Sequence, residues 1–229
     1  MTNNSVSAPP VGGFQELDGR RVFVHRLGSG GPAVVFLPGA GAAGLDYSAV
    51  QQGVSRFRTA VVYDRGGSGY SDPVPLPRTA AEVATELHEL LLAQDLAAPY
   101  ILVAHSLGGA YAHRFAQLYP GEVAGMVWVD GFHPDWQDFL AITDQPLRSD
   151  LVALADELRA GPELPDVPLI ALTAGFTEGM RRMAEAVVSA VSSGEHRVVA
   201  GAGHHQLCVT RPDVVVQAIR DVIDRAARP

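Results

Sequence analysis

Cysteine is almost missing from this chain of 229 residues, with Cys208 standing alone. No disulfide can form within it, and nothing points to an oxidising compartment. Basic residues are also scarce, 17 against 25 acidic for a formal charge of −8, and no Lys/Arg-rich run occurs. A broad phosphate-binding surface and a nucleic-acid partner are excluded on that ground. No apolar stretch is long enough to cross a bilayer, and Met1 to Pro10 has neither the basic nor the apolar region of a secretion signal. No internal repeat is present. The expectation is a cytoplasmic protein with no membrane partner, whose oligomeric state the sequence does not indicate.

What remains is ordinary folded composition, 47% hydrophobic and 18% charged. It is enough for one domain with a sizeable core. Residues 1–13, rich in Asn, Ser, Pro and Gly, read as an N-terminal arm, and residues 14–229 as a single domain. Short apolar strands then alternate with amphipathic helices, the pattern of a largely parallel sheet covered on both faces, an α/β fold. Strands are expected at 14–17, 21–26, 33–37, 59–63, 100–103, 123–129, 168–173 and 196–200, with an Asp18-Gly19 turn joining the first two.

Thr79 and Glu82 have the spacing of a capping box, and Val83, Leu87, Leu90 and Leu91 follow on one helical face. A loop is expected over 201–208 and a closing helix over 210–228. Residues 132–166 break the alternation, mixing Pro, Asp and Trp around a helical patch at 151–158, and read as a small lid.

The most informative segment is Ala104-His105-Ser106-Leu107-Gly108-Gly109, set between an apolar strand and a helical stretch. Small residues there let strand and helix approach closely in a sharp turn, which projects the central side chain above the sheet. Ser106 is therefore the expected nucleophile. A Gly-rich turn whose serine merely caps a helix is the plainer alternative.

A serine hydroxyl needs a base within hydrogen-bond reach and a third group to orient that base. His204 is the expected base, because the Gly-rich loop after the last strand can aim an imidazole across the strand ends. His205 is next in line, and His105, beside Ser106, is expected to point the wrong way. His25, His88, His113 and His196 read as structural or surface residues.

Two carboxylates compete for the orienting role. Asp130 ends the strand over 123–129, at the same sheet edge as Ser106, with Gly131 freeing the turn. Glu178 follows the strand over 168–173, but it also opens a helix with Thr177 as N-cap, a sufficient structural reason for an acid there. Asp130 is preferred, with Glu178 the alternative acid. Donors to an oxyanion are expected from the N–H of Leu107 and from the turn Pro38-Gly39-Ala40-Gly41, with Ala40 as its donor.

These residues together resemble the α/β-hydrolase superfamily, from about Phe14 to the C-terminus. Leu37-Pro38-Gly39-Ala40-Gly41 is similar to the family's oxyanion loop, with Pro38 where His is common. Tyr63-Asp64-Arg65-Gly66-Gly67-Ser68-Gly69-Tyr70-Ser71 is similar to its D-x-R-G-x-G-x-S loop, and Gly203-His204 to its histidine loop. The resemblance implies the α/β-hydrolase fold, an eight-stranded mostly parallel sheet with the second strand antiparallel, helices on both faces and a small lid insertion.

It also implies a triad in the order Ser106, Asp130, His204. Most members carry the acid after the penultimate strand, where Gly175-Phe176-Thr177-Glu178 stands here, whereas some relatives use the strand before the lid. Asp64 and Arg65 are scaffold residues on this reading. His133 and Asp135 are expected at the surface, and Phe132, Trp136 and Phe139 to pack the lid.

The implied activity is hydrolysis of a small-molecule carboxylic ester or thioester, through an acyl-enzyme on Ser106 and with no metal or cofactor. Lyase, C–C hydrolase or cyclase chemistry on the same triad is the first alternative, and a catalytically silent ligand-binding module the second.

Overall fold

The computed structural model describes residues 8–135, 145–174, 178–204 and 207–228, without the side chains of 145–148. Eight strands form one sheet: β1 (Gly13–Leu17), β2 (Arg20–Leu27), β3 (Val34–Leu37), β4 (Ala60–Tyr63), β5 (Tyr100–His105), β6 (Val123–Val129), β7 (Leu169–Thr173) and β8 (Gly194–Val198). Their order across the sheet is β1-β2-β4-β3-β5-β6-β7-β8. β2 runs antiparallel to both its neighbours, and every later pairing is parallel. The fold is the eight-stranded α/β-hydrolase architecture expected from the sequence.

Asp18 and Gly19, at φ +48° and +73°, turn the opening hairpin and pair Leu17 with Arg20. Two left-handed residues in a two-residue loop match the twist of the flanking strands, which is why Asp-Gly serves there. β1 begins at Gly13, the last residue of the expected arm; residues 1–7 lie outside the described residues.

Successive residues of the central strands alternate between two cores. Leu102 and Ala104 of β5 join one core with helices α2 (Ala80–Ala93), α3 (Gly108–Leu118) and α5 (Glu178–Ser189). Ile101 and Val103 join the other with α1 (Ser48–Ser55) and α7 (Pro212–Ala226). Burial on both faces explains why these strands read as continuous apolar runs. The capping box is present: Thr79 Oγ1 accepts from the Glu82 N–H at 3.1 Å, and Glu82 accepts from the Thr79 N–H at 2.8 Å.

Two segments depart furthest from expectation. β8 covers 194–198 and not 196–200, because its extent follows β7, which pairs Leu169 with Gly194 and Thr173 with Val198. As an edge strand carrying Glu195 and Arg197, it shows little apolar pattern of its own. A short helix, α6 (Leu207–Thr210), begins inside the expected loop over 201–208 and runs past its end, and α7 starts only at Pro212. Proline at the first helical position needs no N–H partner and sets that start.

Between β6 and β7 lies α4 (Gln145–Arg159), longer than the expected patch. Its Glu157 accepts from the N–H groups of Ala80 and Ala81, both at 2.8 Å, capping the start of α2, and lies 3.4 Å from Arg114 Nε. Gln117 of α3 donates to the carbonyls of Leu158 and Pro162 at 2.9 and 2.7 Å. Charged and amide groups thus fasten α4 to the body of the domain. Trp136 and Phe139 lie outside the described residues, while Phe132 is buried in the core beside α3.

Candidate active site

Parallel strands deliver their loops to one edge of the sheet, and the expected residues arrive there from four strands. Ser106 follows β5, with φ +50°. A Cβ on Gly108 would lie 2.1 Å from the Leu37 carbonyl oxygen, and one on Gly109 would lie 2.6 Å from Phe132 N. Only glycine allows α3 to start so close to the ends of β3 and β6.

His204 reaches back from the loop after β8 and places Nε2 3.1 Å from Ser106 Oγ. Its Nδ1 lies 3.4 Å from Asp130 Oδ2. The Asp130 side chain is fully buried, and its carboxylate accepts from the Ala174 N–H at 3.1 Å. A buried carboxylate needs such partners, because an uncompensated charge away from water is costly. An ionised carboxylate only accepts, so Asp130 favours the proton on His204 Nδ1 and leaves Nε2 free to accept from Ser106. A serine hydroxyl, an imidazole and a carboxylate are thus in series.

Glu178 is not brought into this series. It opens α5, where its exposed carboxylate pairs with Arg181 and lies 3.6 Å from Arg182 Nε. Its helix-end position and its own-helix arginines account for it. Thr177, the expected N-cap, and His205, the second-choice base, lie outside the described residues.

The turn after β3 is held from two sides. Arg65 donates from Nη1 to the Pro38 carbonyl and from Nη2 to the Gly39 carbonyl, the latter at 2.9 Å, and its guanidinium stacks on Tyr111 at 5.0 Å. On the other side the Gly39 N–H donates to the Tyr47 hydroxyl at 3.1 Å. Within one trans peptide the C=O of one residue and the N–H of the next point in opposite directions. Fixing the Gly39 carbonyl on Arg65 therefore turns the Ala40 N–H away from the guanidinium. Among the described residues neither the Ala40 nor the Leu107 N–H meets an acceptor.

Asp64 works beside Arg65, accepting from the N–H groups of Gly44 and Tyr70 at 2.6 and 2.8 Å. Burial nevertheless raises its carboxyl above the usual range, opposed by those two bonds.

His105 is turned away from Ser106, as expected, but its partners were not foreseen. Its Nδ1 lies 2.7 Å from the Tyr47 hydroxyl, and its Nε2 lies 3.0 Å from the His204 carbonyl oxygen. Both nitrogens are committed, so His105 offers no base to Ser106. No motif links Tyr47 with His105, 58 positions apart, and only the folded chain shows the contact.

His133 departs from expectation. It is buried, with its ring 6.3 Å from that of His113, while Asp135 is exposed. Burial lowers the pKa of both imidazoles, that of His113 to about 4. Cys208, buried behind the site in α6, has its thiol pushed up to about 12 by burial.

A family model described as alpha/beta hydrolase fold matches residues 32–227, and the chain belongs to that family. Its fold is similar to that of a thermophilic esterase from Thermogutta terrifontis, with a TM-score of 0.70 and 19% identity over 95% of this chain and 98% of that one. An esterase from Exiguobacterium antarcticum gives a TM-score of 0.73 and 18% identity, over 92% and 99% of the two chains. A Mycobacterium tuberculosis protein is 30% identical over 175 residues, 75% of this chain and 50% of its own length. The chain spans half or less of the length of such curated relatives, down to 13% for one from Schizosaccharomyces pombe. Among the described residues no helix is long and apolar enough to cross a membrane.

Proposed function

We propose that the chain is a serine hydrolase acting in the cytoplasm on a small-molecule carboxylic ester or thioester, through an acyl-enzyme on Ser106. The observation that carries this reading is the 3.1 Å contact between Ser106 Oγ and His204 Nε2, with the buried Asp130 carboxylate behind the imidazole.

His204 takes the hydroxyl proton as Ser106 Oγ attacks the carbonyl carbon. The tetrahedral oxyanion is met by the N–H groups of Ala40 and Leu107, and Asp130 stabilises the imidazolium. His204 then returns its proton to the leaving alkoxide or thiolate. Water, deprotonated by the same imidazole, attacks the acyl carbon, and the imidazolium returns the proton to Ser106 Oγ as the bond to it breaks and the acid is released. A cavity of about 210 Å³, lined by Leu107, the residue after Ser106, and by Arg65, Tyr111, Arg78 and Leu154, is the space we assign to one of the groups flanking the scissile bond.

The reading is tested by exposing folded protein to a fluorophosphonate and locating the adduct by mass spectrometry, alongside turnover of p-nitrophenyl esters and acyl thioesters of graded length. The adduct is expected on Ser106, and Ser106→Ala is expected to abolish both labelling and turnover. An unlabelled Ser106, or a Ser106→Ala variant as active as the parent, overturns it. A labelled Ser106 without turnover of any ester or thioester transfers the case to lyase, cyclase or C–C bond chemistry on the same triad.

A further inference from the structure

The oxyanion turn and the base loop come from opposite halves of the sequence, yet both end on the same buried pair of side chains. Tyr47 and His105 are both buried, and their rings meet edge to face with centroids 5.9 Å apart. The proton positions along this pair follow from what each end allows.

The His204 carbonyl can only accept, so the His105 nitrogen 3.0 Å from it, Nε2, carries a proton. In the neutral ring Nδ1 is then a lone-pair acceptor, and the Tyr47 hydroxyl 2.7 Å away must donate to it. The phenol oxygen, its proton directed at His105, receives the Gly39 N–H at 3.1 Å. Burial raises the pKa of Tyr47, which keeps the phenol protonated and able to donate. Every donor in this series points the same way, from Gly39 through Tyr47 and His105 to His204.

We propose that Tyr47 and His105 are positioning residues that couple the oxyanion turn to the base, fixing the Gly39 peptide at one end and the His204 backbone at the other. This rests on the reading of Ser106 as nucleophile. The series holds its geometry because its bonds are buried, or part-buried at the His204 end, so that losing one partner leaves another unpaired. Tyr47 settles the plane of the peptide preceding Ala40, whose N–H is to meet the oxyanion. His105 settles the carbonyl of His204, whose ring must lie between Ser106 and Asp130. Both side chains are buried, so their effect is expected on the chemical step.

The experiment is a double-mutant cycle with Tyr47→Phe and His105→Gln. Phenylalanine removes one oxygen atom, and glutamine keeps an N–H donor for the His204 carbonyl while its one acceptor, Oε1, no longer stands at the position of Nδ1 facing Tyr47. Measured quantities are kcat, KM and the second-order rate of Ser106 phosphonylation, with thermal unfolding of each variant as the folding check.

Each single variant is expected to lower kcat and the phosphonylation rate about tenfold with KM within about twofold. The double variant is expected to be no slower than the slower single, because one series is already broken. Folded variants with parental rates, multiplicative effects, or a change confined to KM overturn the proposal. Should His105→Gln fail to fold, Tyr47→Phe decides alone, and parental kcat in it overturns the coupling. Absence of phosphonylation in the parent is a distinct result, because it removes the nucleophile reading itself.

Discussion

Ser106 and Asp130 stand at the carboxyl ends of adjacent parallel strands with the same left-handed backbone, φ +50° and +44°. Each is held by the strand beyond it: the Ser106 N–H donates to Val129 O at 3.1 Å, and the Asp130 N–H to Leu172 O at 2.8 Å. The Phe132 N–H closes the set on the Ser106 carbonyl at 2.8 Å. Two unfavourable conformations persist side by side because sheet bonds over-determine both. In each case the left-handed residue lifts its side chain out of the sheet toward His204.

That strain separates backbone from chemistry at Ser106. Ser106→Ala keeps the Cβ and its left-handed penalty, whereas Ser106→Gly removes it. The glycine variant is expected to be more stable than the alanine variant by about 1 kcal/mol, although both lack the hydroxyl. Chemical denaturation of the two proteins reads the difference. Equal or lower stability for glycine would show that the turn holds no strain worth relieving.

The acid is settled by two neutral isosteres. Asp130→Asn keeps size and a hydrogen-bonding side chain but no longer holds the proton on His204 Nδ1, so kcat is expected to fall by about 10⁴. Glu178→Gln breaks only surface contacts with Arg181 and Arg182 and should leave kcat within about twofold. Steady-state hydrolysis of one activated ester compares them. A large loss in the glutamine variant with a small loss in the asparagine variant would reverse the assignment.

The parts of this arrangement legible in the sequence are those that punctuation and pattern encode. Glycines at 108 and 109 marked the turn at Ser106, Asp130-Gly131 marked a strand end, and a Gly-rich loop marked His204, because tight turns demand small residues whatever surrounds them. β8 was misplaced by two residues because an edge strand takes its limits from a neighbour. His133 was misjudged because its burial depends on how α3 and the chain after β6 pack, which local polarity does not report. The pairing of Tyr47 with His105 joins two ordinary side chains from distant elements, and no local spacing encodes it.

Arg65 was read as scaffold, and the structure gives that role a direction. Its planar fork spans two consecutive carbonyls, Pro38 and Gly39, which a lysine ammonium cannot reproduce. Arg65→Lys is therefore expected to lower kcat by about ten- to a hundredfold, with a smaller change in KM, as the Ala40 N–H loses its fixed direction. Pre-steady-state measurement of acylation is the check. A folded lysine variant acylating at the parental rate would show that the turn keeps its shape unaided.

His113 ties stability to pH. Its ring is buried among Trp128 and His133, with Arg114 adding like charge, and burial lowers its pKa from 6.5 to about 4. His133 is lowered in the same direction, opposed by Asp135 at 3.8 Å, while Arg159, near Asp135, lowers it further. Between those two values the unfolded chain binds a proton at His113 that the folded chain refuses, so stability rises with pH across the window. The contribution is complete above about pH 6.5 and is lost as pH falls to about 4, a change of roughly 3 kcal/mol from His113. Asp64, whose carboxyl is raised by burial, acts with the opposite sign and offsets part of it. Denaturation midpoints from pH 7.5 down to 4.5 are expected to drop more steeply for the parent than for His113→Gln, whose amide does not titrate. Parallel curves for the two proteins would remove His113 as a source of the acid sensitivity.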